Sequence, residues 1–571
     1  MIHLLFIVAL VLCFLPLLPG MIGLLLPSIS WIPTLGFDGV SLTALHAVAT
    51  WPNLTVSIAL SLLTGLGSTV LALFFTYIIL RRYWETARWL NLERTLSPML
   101  AMPHVAFAIG FALLFAPTGW FFRLLDSLGL SELAGIGLIQ DSYGIGLMLA
   151  LAIKETPFLL IMSIPILKQL NVGQLCAVSA SLGYCHSEAW RKVILPQWLP
   201  KLRLSLFAVA AYGLSVVDVA LILGPTRPPT LSILVWQWFN DPELHQLPRA
   251  AAGACLLLIT TAASLGFIRS VEWACLRLQR GWMTKGPRAT KHSKRMPHRH
   301  LALYSPFIAI PALIVPLLIV WSFAQRWRFP DLLPTRYSAR FWQQELPTLA
   351  ELMGTGLLLA LVSSTVALLL VIACLEYRQK YRRGLPVWLV AIPLVTPQLS
   401  LLFGIQIVTY MIPGQHYWLW VCWSHLIFVF PYMYLALDGA WRSYDTRLDQ
   451  CSRSLGLTAW QTWWRVKRPQ VQPAIIFGLA IGISVSLAQY LPTQMLGAGR
   501  ISTLTTEAVA LASGQDRRVM AIYGLLQGVL PFVFFSLAIV ANRLSYRWRH
   551  YRQYSLQTLY SSNKSKEYTH G

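Results

Sequence analysis

Lys154 and Glu155 fall near the middle of an apolar run from 143 to 167, and Asp218 sits inside another from 204 to 224. A lone charge at the centre of a bilayer costs about 2.5 to 3.5 kcal/mol on insertion scales, so something must offset it. Successive residues on a helix point about 100° apart, so Lys154 and Glu155 do not simply neutralise each other. Three readings follow: an interhelical ion pair, contact with a transported solute or a gate, or span limits that lie elsewhere. Asp218 is a candidate partner for Lys154 or a second acid on a pathway, and two acids facing a pathway favour a cationic solute. The same trio could carry protons or cations in an ion-coupled secondary transporter. Other chemistry is poorly supported. The histidines have no H-E-x-x-H spacing, no G-x-x-x-x-G-K-[ST] phosphate loop occurs, and no nucleophile, base and orienting acid can be assembled. No catalytic residue, metal site or cofactor is expected in this chain, so any ATP must be used by a separate polypeptide.

The elements that position these charges are membrane spans. At 571 residues, 56% hydrophobic and 12% charged, the chain has about half the charged fraction of a soluble globule. Runs of roughly 20 apolar residues predict twelve spans, near 3–26, 54–80, 97–117, 143–167, 204–224, 249–270, 303–324, 352–374, 386–411, 418–437, 474–495 and 520–541. The formal charge of +23 raises nucleic acid as a partner, but its placement argues otherwise. With the N-terminus inside, Arg and Lys collect in the inner loops, leaving one basic outer loop at 325–348. Charge is therefore a topology signal, and lipid rather than nucleic acid is the expected surroundings. Both termini are placed in the cytoplasm.

Residues 271–302 lose their apolar character and carry Arg277, Arg280, Lys285, Arg288, Lys291, Lys294, Arg295 and Arg299. They read as a basic cytoplasmic connector between a first half, 1–270 with its core at about 50–270, and a second, 303–545 with its core at about 348–542. A cytoplasmic tail, 546–571, follows. The halves share patterns: Pro103 with Gly110 and Pro397 with Gly404, Pro157-Phe158 and Pro431-Tyr432, Gly224 to Leu231 and Gly497 to Leu504. The expected fold is all-α and polytopic, with two parallel six-helix repeats and a pathway between them. Arg227 and Arg500, at equivalent outer ends, are candidates for an outer gate, for contact with an acidic partner, or for snorkelling to headgroups. The four prolines are expected to kink their spans.

Two inner loops repeat one spacing 273 residues apart: Ser181-Leu182-Gly183, Trp190, Pro196 and Pro200, then Ser454-Leu455-Gly456, Trp463, Pro469 and Pro473. Each predicts a helix, a glycine bend and a second helix. Small side chains would admit a partner surface, and Trp190 and Trp463 would anchor it. This pattern resembles the coupling loop of binding-protein-dependent ABC importer permeases: Glu-Ala-Ala, three residues, Gly, nine residues, then Ile-x-Leu-Pro. Gly183 is followed after nine residues by Val193-Ile194-Leu195-Pro196, and Gly456 by Val466-Lys467-Arg468-Pro469. The acidic triplet is replaced by Ala177-Val178-Ser179 and Gln450-Cys451-Ser452. The chain looks closest to the fused permeases of the ferric-iron and thiamine type. The resemblance implies the type I importer permease fold in a bacterial inner membrane. It also implies a periplasmic solute-binding protein and two copies of a cytoplasmic ATPase docked on the two loops.

Overall fold

The computed structural model describes residues 2–130, 137–285, 305–512, 514 and 516–567. The connector from 286 onward lies outside the described residues. Ahead of it the chain stays helical through Lys285, so 271–285 extends a membrane helix.

In the first half the helices are α1 (Ile2–Ser28), α2 (Leu54–Tyr83), α3 (Ala87–Ala101), α4 (His104–Phe115), α5 (Ile145–Leu170), α6 (Val172–Ser181), α7 (Leu195–Ser215), α8 (Asp218–Leu223), α9 (Leu231–Phe239) and α10 (Leu247–Lys285). The second half runs through the same order as α11 (Ser305–Phe323), α12 (Arg340–Tyr381), α13 (Val387–Val395), α14 (Gln398–Tyr410), α15 (Tyr417–Ser443), α16 (Arg447–Ser454), α17 (Arg468–Leu487), α18 (Leu491–Gly497), α19 (Leu504–Ala512) and α20 (Arg517–Glu567). Short turns and two strands, Ala324–Arg326 and Arg336–Tyr337, complete it. That hairpin lies in the basic loop at 325–348 and is clamped by buried Arg123, which donates to the carbonyls of Thr118, Arg328 and Asp331 at 3.0, 2.6 and 2.8 Å.

Among the described residues nine helices are long and apolar enough to cross a membrane, and α13 with α14, bent by 92°, make up to a tenth. The twelve expected spans are thus not all continuous helices. Span 97–117 breaks at Met102 and span 386–411 at Thr396, both extended and both followed by proline, which disfavours helix in the residue before it. Pro157 and Pro431, by contrast, lie inside unbroken helices. Spans 204–224 and 474–495 break after Ser215 and Leu487. A break frees carbonyls that lipid cannot satisfy. The hydroxyls of Ser232 and Thr505, 273 residues apart, take up those of Val216 at 2.8 Å and Leu487 at 2.5 Å.

Within each half three long helices pack together, α2, α5 and α7 in one and α12, α15 and α17 in the other. Their contacts use small residues, as lipid-embedded helices must when dispersion rather than water exclusion drives association. Gly65 meets the backbone of Gly213 and Leu214, and Ser363 bonds Ser486 at 3.1 Å. The first helix of each half crosses to the other: α1 packs on α12 and α14, and α11 packs on α4. Phe6 stacks on Tyr377 and Phe307 meets Phe75, each at 4.0 Å between centroids. The repeated glycines make both crossings possible. A Cβ on Gly404 would collide with the Gly20 carbonyl, and one on Gly110 with Ile314.

Candidate functional site

The two loops fold alike. In the first, Leu182, Gly183 and Tyr184 donate to the carbonyls of Val178, Ala180 and Ser179 at 3.2, 3.0 and 3.0 Å. In the second, Leu455, Gly456 and Leu457 donate to those of Cys451, Arg453 and Ser452 at 3.1, 3.0 and 3.1 Å. This closes the end of α6 and of α16 through a left-handed glycine, Gly183 at φ +85° and Gly456 at +87°. Each bend leads to a four-residue helix, His186–Ala189 or Ala459–Thr462, then a π-helical segment, Trp190–Ile194 or Trp463–Lys467. Pro196 and Pro469 follow in the first turns of α7 and α17, where a missing N–H is harmless. The replaced acidic triplets leave this geometry intact.

Both bends present the same surface. Ala177, Ser181 and Gly183 are exposed with Leu182 (54%), as are Gln450, Ser454 and Gly456 with Leu455 (82%). Leu195, Pro196 and Pro469 are half-buried. The tryptophans differ from expectation. Trp190 is 1% exposed in an apolar cluster with Ile194, Trp198 and Leu202, and half-buried Trp463 donates to Glu376 at 3.2 Å. Both hold their loop to its own half, because the π-helical turn directs them inward.

Glu376 of α12 is a residue that the sequence did not single out. It accepts from Trp441 at 2.9 Å and pairs with Lys467 at 2.5 Å; Lys467, 2% exposed, also donates to Gln379 and lies over the Trp441 and Tyr444 rings. The Tyr444 hydroxyl donates to Asp449 at 2.5 Å. Burial, then that bond, hold this phenol above its ordinary pKa, so it remains the donor. The first loop has Ile194 in place of Lys467 and is packed by apolar contact instead. The signal was the lysine itself, in a position the first repeat fills with isoleucine.

The intramembrane charges separate. Lys154, buried, donates to the Met99 carbonyl at 3.2 Å, while Glu155, 7% exposed, pairs with His104 at 2.8 Å. Among the described residues no bond joins Lys154 to Asp218, so the expected partnership is absent. Asp218 opens α8 after the break. The His104 ring is 4.6 Å from that of Tyr212. The Tyr490 ring of the second half meets that of Trp236 of the first at 6.0 Å between centroids. Helix α8 meets α19 and α7 meets α13, so this cluster lies on the seam between the halves. The structure thus gives Glu155 and Lys154 different partners, and among the described residues no bond joins Glu155 to Asp218. His104, Tyr212, Tyr432 and Tyr490 were not singled out, though His104 follows repeated Pro103 and Tyr432 follows repeated Pro431.

Arg227 and Arg500 do not meet. Arg500 donates to Gln415 at 3.1 Å and lies over the Tyr417 ring at 4.8 Å, both in its own half, and no bond among the described residues links it to Arg227.

Residues 370–548 match the family model described as binding-protein-dependent transport system inner membrane component. The chain is similar to the inner membrane ABC transporter permease protein YnjC of Escherichia coli (strain K12), 32% identical over 536 residues, 93% of this chain and 94% of that protein. It is also 36% identical over 66 residues to a probable sulfate transport system permease protein cysT of Chlorokybus atmophyticus, covering 11% of this chain and 23% of that protein. With near full-length similarity on a polytopic helical fold, the chain belongs to the family of binding-protein-dependent ABC transporter permeases.

Proposed function

We propose that this single chain supplies both halves of the pathway of an ABC importer in a bacterial inner membrane, with both termini in the cytoplasm. Two copies of a cytoplasmic ATPase dock on the loops at Gly183 and Gly456, and a periplasmic binding protein delivers solute to the opposite face. The observation that carries this reading is the pair of loops, 273 residues apart, with the same hydrogen bonds, the same left-handed glycine and the same exposed leucine. Two equal footholds suit two equal partners. Each loop is tied back to the long helices of its half, so a pull at α6 or α16 reaches α2, α5 and α7 or α12, α15 and α17.

Docking is tested by Leu182→Asp with Leu455→Asp. Both side chains are exposed and touch little of their own fold, so insertion and melting stay normal while ATPase capture falls. Capture at wild-type yield by the double variant would refute the docking claim. The ion-coupled alternative is disfavoured by family membership and by the separation of Lys154 from Asp218. It predicts uptake abolished by an uncoupler and indifferent to ATP; the importer predicts the reverse.

A further inference from the structure

The basic loop at 325–348 is the part of the charge pattern that topology leaves over. It lies at the end of α12 remote from the second inner loop: α12 starts at Arg340, just after the hairpin, and Glu376, which holds that inner loop, is near its other end. At about 1.5 Å per residue the separation exceeds the roughly 30 Å hydrocarbon core, so the two lie at opposite faces. Beside the hairpin, the segment after α4, the end of α11 and the start of α20 enclose a cavity of about 410 Å³. Among the described residues its lining has four guanidiniums, Arg123, Arg326, Arg517 and Arg518, against one carboxylate, Asp516. We propose that this cavity binds the phosphate of an anionic phospholipid, such as phosphatidylglycerol, from the adjoining leaflet. The inference goes beyond the importer reading and does not depend on ATPase docking.

Three observations carry it. First, positive charge is gathered there without being neutralised. Arg123 through Nε and Arg517 through Nη1 donate to the same carbonyl, that of Thr118, at 3.0 and 3.4 Å, so two guanidiniums converge on one oxygen. Asp516 is taken by Arg518, which reaches it through Nε at 2.9 Å and Nη2 at 3.2 Å. No ion pair among the described residues engages Arg123, Arg326 or Arg517. Like charges so close repel each other, and an anion held between them is attracted to both. Second, the donors suit a tetrahedral oxyanion. Guanidinium forks bind phosphate oxygens in pairs. Trp321, 6% exposed on the same lining and 5.6 Å beneath Arg517, adds a shielded indole N–H with no hydrogen-bond partner among the described residues. Third, the surroundings fit a lipid rather than a free anion. Trp327 and Phe329 also line the cavity, as aromatic side chains do at headgroup level. The last turns of α11 border a second, apolar groove of about 420 Å³ through Ile319, Val320 and Phe323, with room for an acyl chain.

Thr118 and Arg123 belong to the first half and the remaining donors to the second, so the cavity exists only where the halves meet. A phosphate there would bridge them.

The test titrates delipidated full-length protein in detergent with phosphatidylglycerol, phosphatidylcholine or inorganic phosphate, and counts bound ligand by native mass spectrometry. Phosphatidylglycerol is expected to bind saturably and in preference to phosphatidylcholine. Arg326→Gln with Arg517→Gln should weaken it about tenfold or more, while Arg328→Gln with Arg340→Gln, which removes the same charge outside the cavity lining, should leave it unchanged. Arg326→Gln alone changes an exposed side chain, so it should elute and melt as wild type does and weaken binding about threefold. Equal binding of the two lipids by wild type, equal losses in the two double variants, or full binding by a well-folded cavity variant would each overturn the proposal. Inorganic phosphate binding that needs Arg326 and Arg517, without preference for phosphatidylglycerol, would overturn the lipid source and assign the cavity to a soluble anion.

Discussion

At the scale of single residues, the second loop depends on one buried ion pair. Lys467 is almost wholly enclosed, and its charge is balanced by Glu376, which also receives two indole N–H groups. Removing one partner strands the other, a loss of about 3 to 5 kcal/mol, whereas replacing both by apolar residues of similar volume is often near neutral. Glu376→Ala should therefore lower the melting temperature of purified protein markedly, and Glu376→Leu with Lys467→Met should recover most of it. An additive double variant would show that the pair is not coupled. The first loop is packed through the apolar side chains of Trp190 and Ile194.

At the scale of elements, two glycine positions do different work. Gly456 has open space around it and a φ of +87°, so only backbone conformation constrains it. Gly456→Asn should keep most ATPase capture, since Asn visits the left-handed region, and Gly456→Val should lose it. Equal capture by both would separate docking from the bend. Gly404 is constrained by space: α14 and α1 touch backbone to backbone there. Gly404→Leu should cost about 1 to 3 kcal/mol or more through overpacking. Gly439→Leu, on a helix with nothing near the added carbon, should leave the melting curve unchanged. The repeated Pro103-Gly110 and Pro397-Gly404 pairs were visible in the sequence as matches. Their purpose was not, because the element that each glycine admits comes from the other half of the chain.

At the scale of the whole molecule, the halves are interlocked rather than merely adjacent. Helix α1 lies on the second half, α11 on the first, and the Ser400 hydroxyl bonds the Ala254 carbonyl at 2.8 Å across the seam. Fragments 1–285 and 305–571 produced together should co-purify without the connector. Deleting residues 2–28 should weaken that association while each fragment still inserts, as read from co-elution against membrane content. Retention of full co-elution would show that the crossed helices do not hold the halves together.

The polytopic helical character, the duplicated loops and the glycine bend were legible in the sequence because each is local: hydropathy over about 20 residues, or spacing within one loop, specifies it. Family membership followed from the same spacing. Tertiary structure alone decided where runs break, because a carbonyl freed at Val216 or Leu487 is tolerable only where Ser232 or Thr505 stands beside it. It alone turned Trp190 inward, paired Glu376 with Lys467, and gave Lys154 and Glu155 their separate partners, Met99 and His104. Those outcomes depend on which helices become neighbours, and a charge in low dielectric settles on whichever partner packing places within reach.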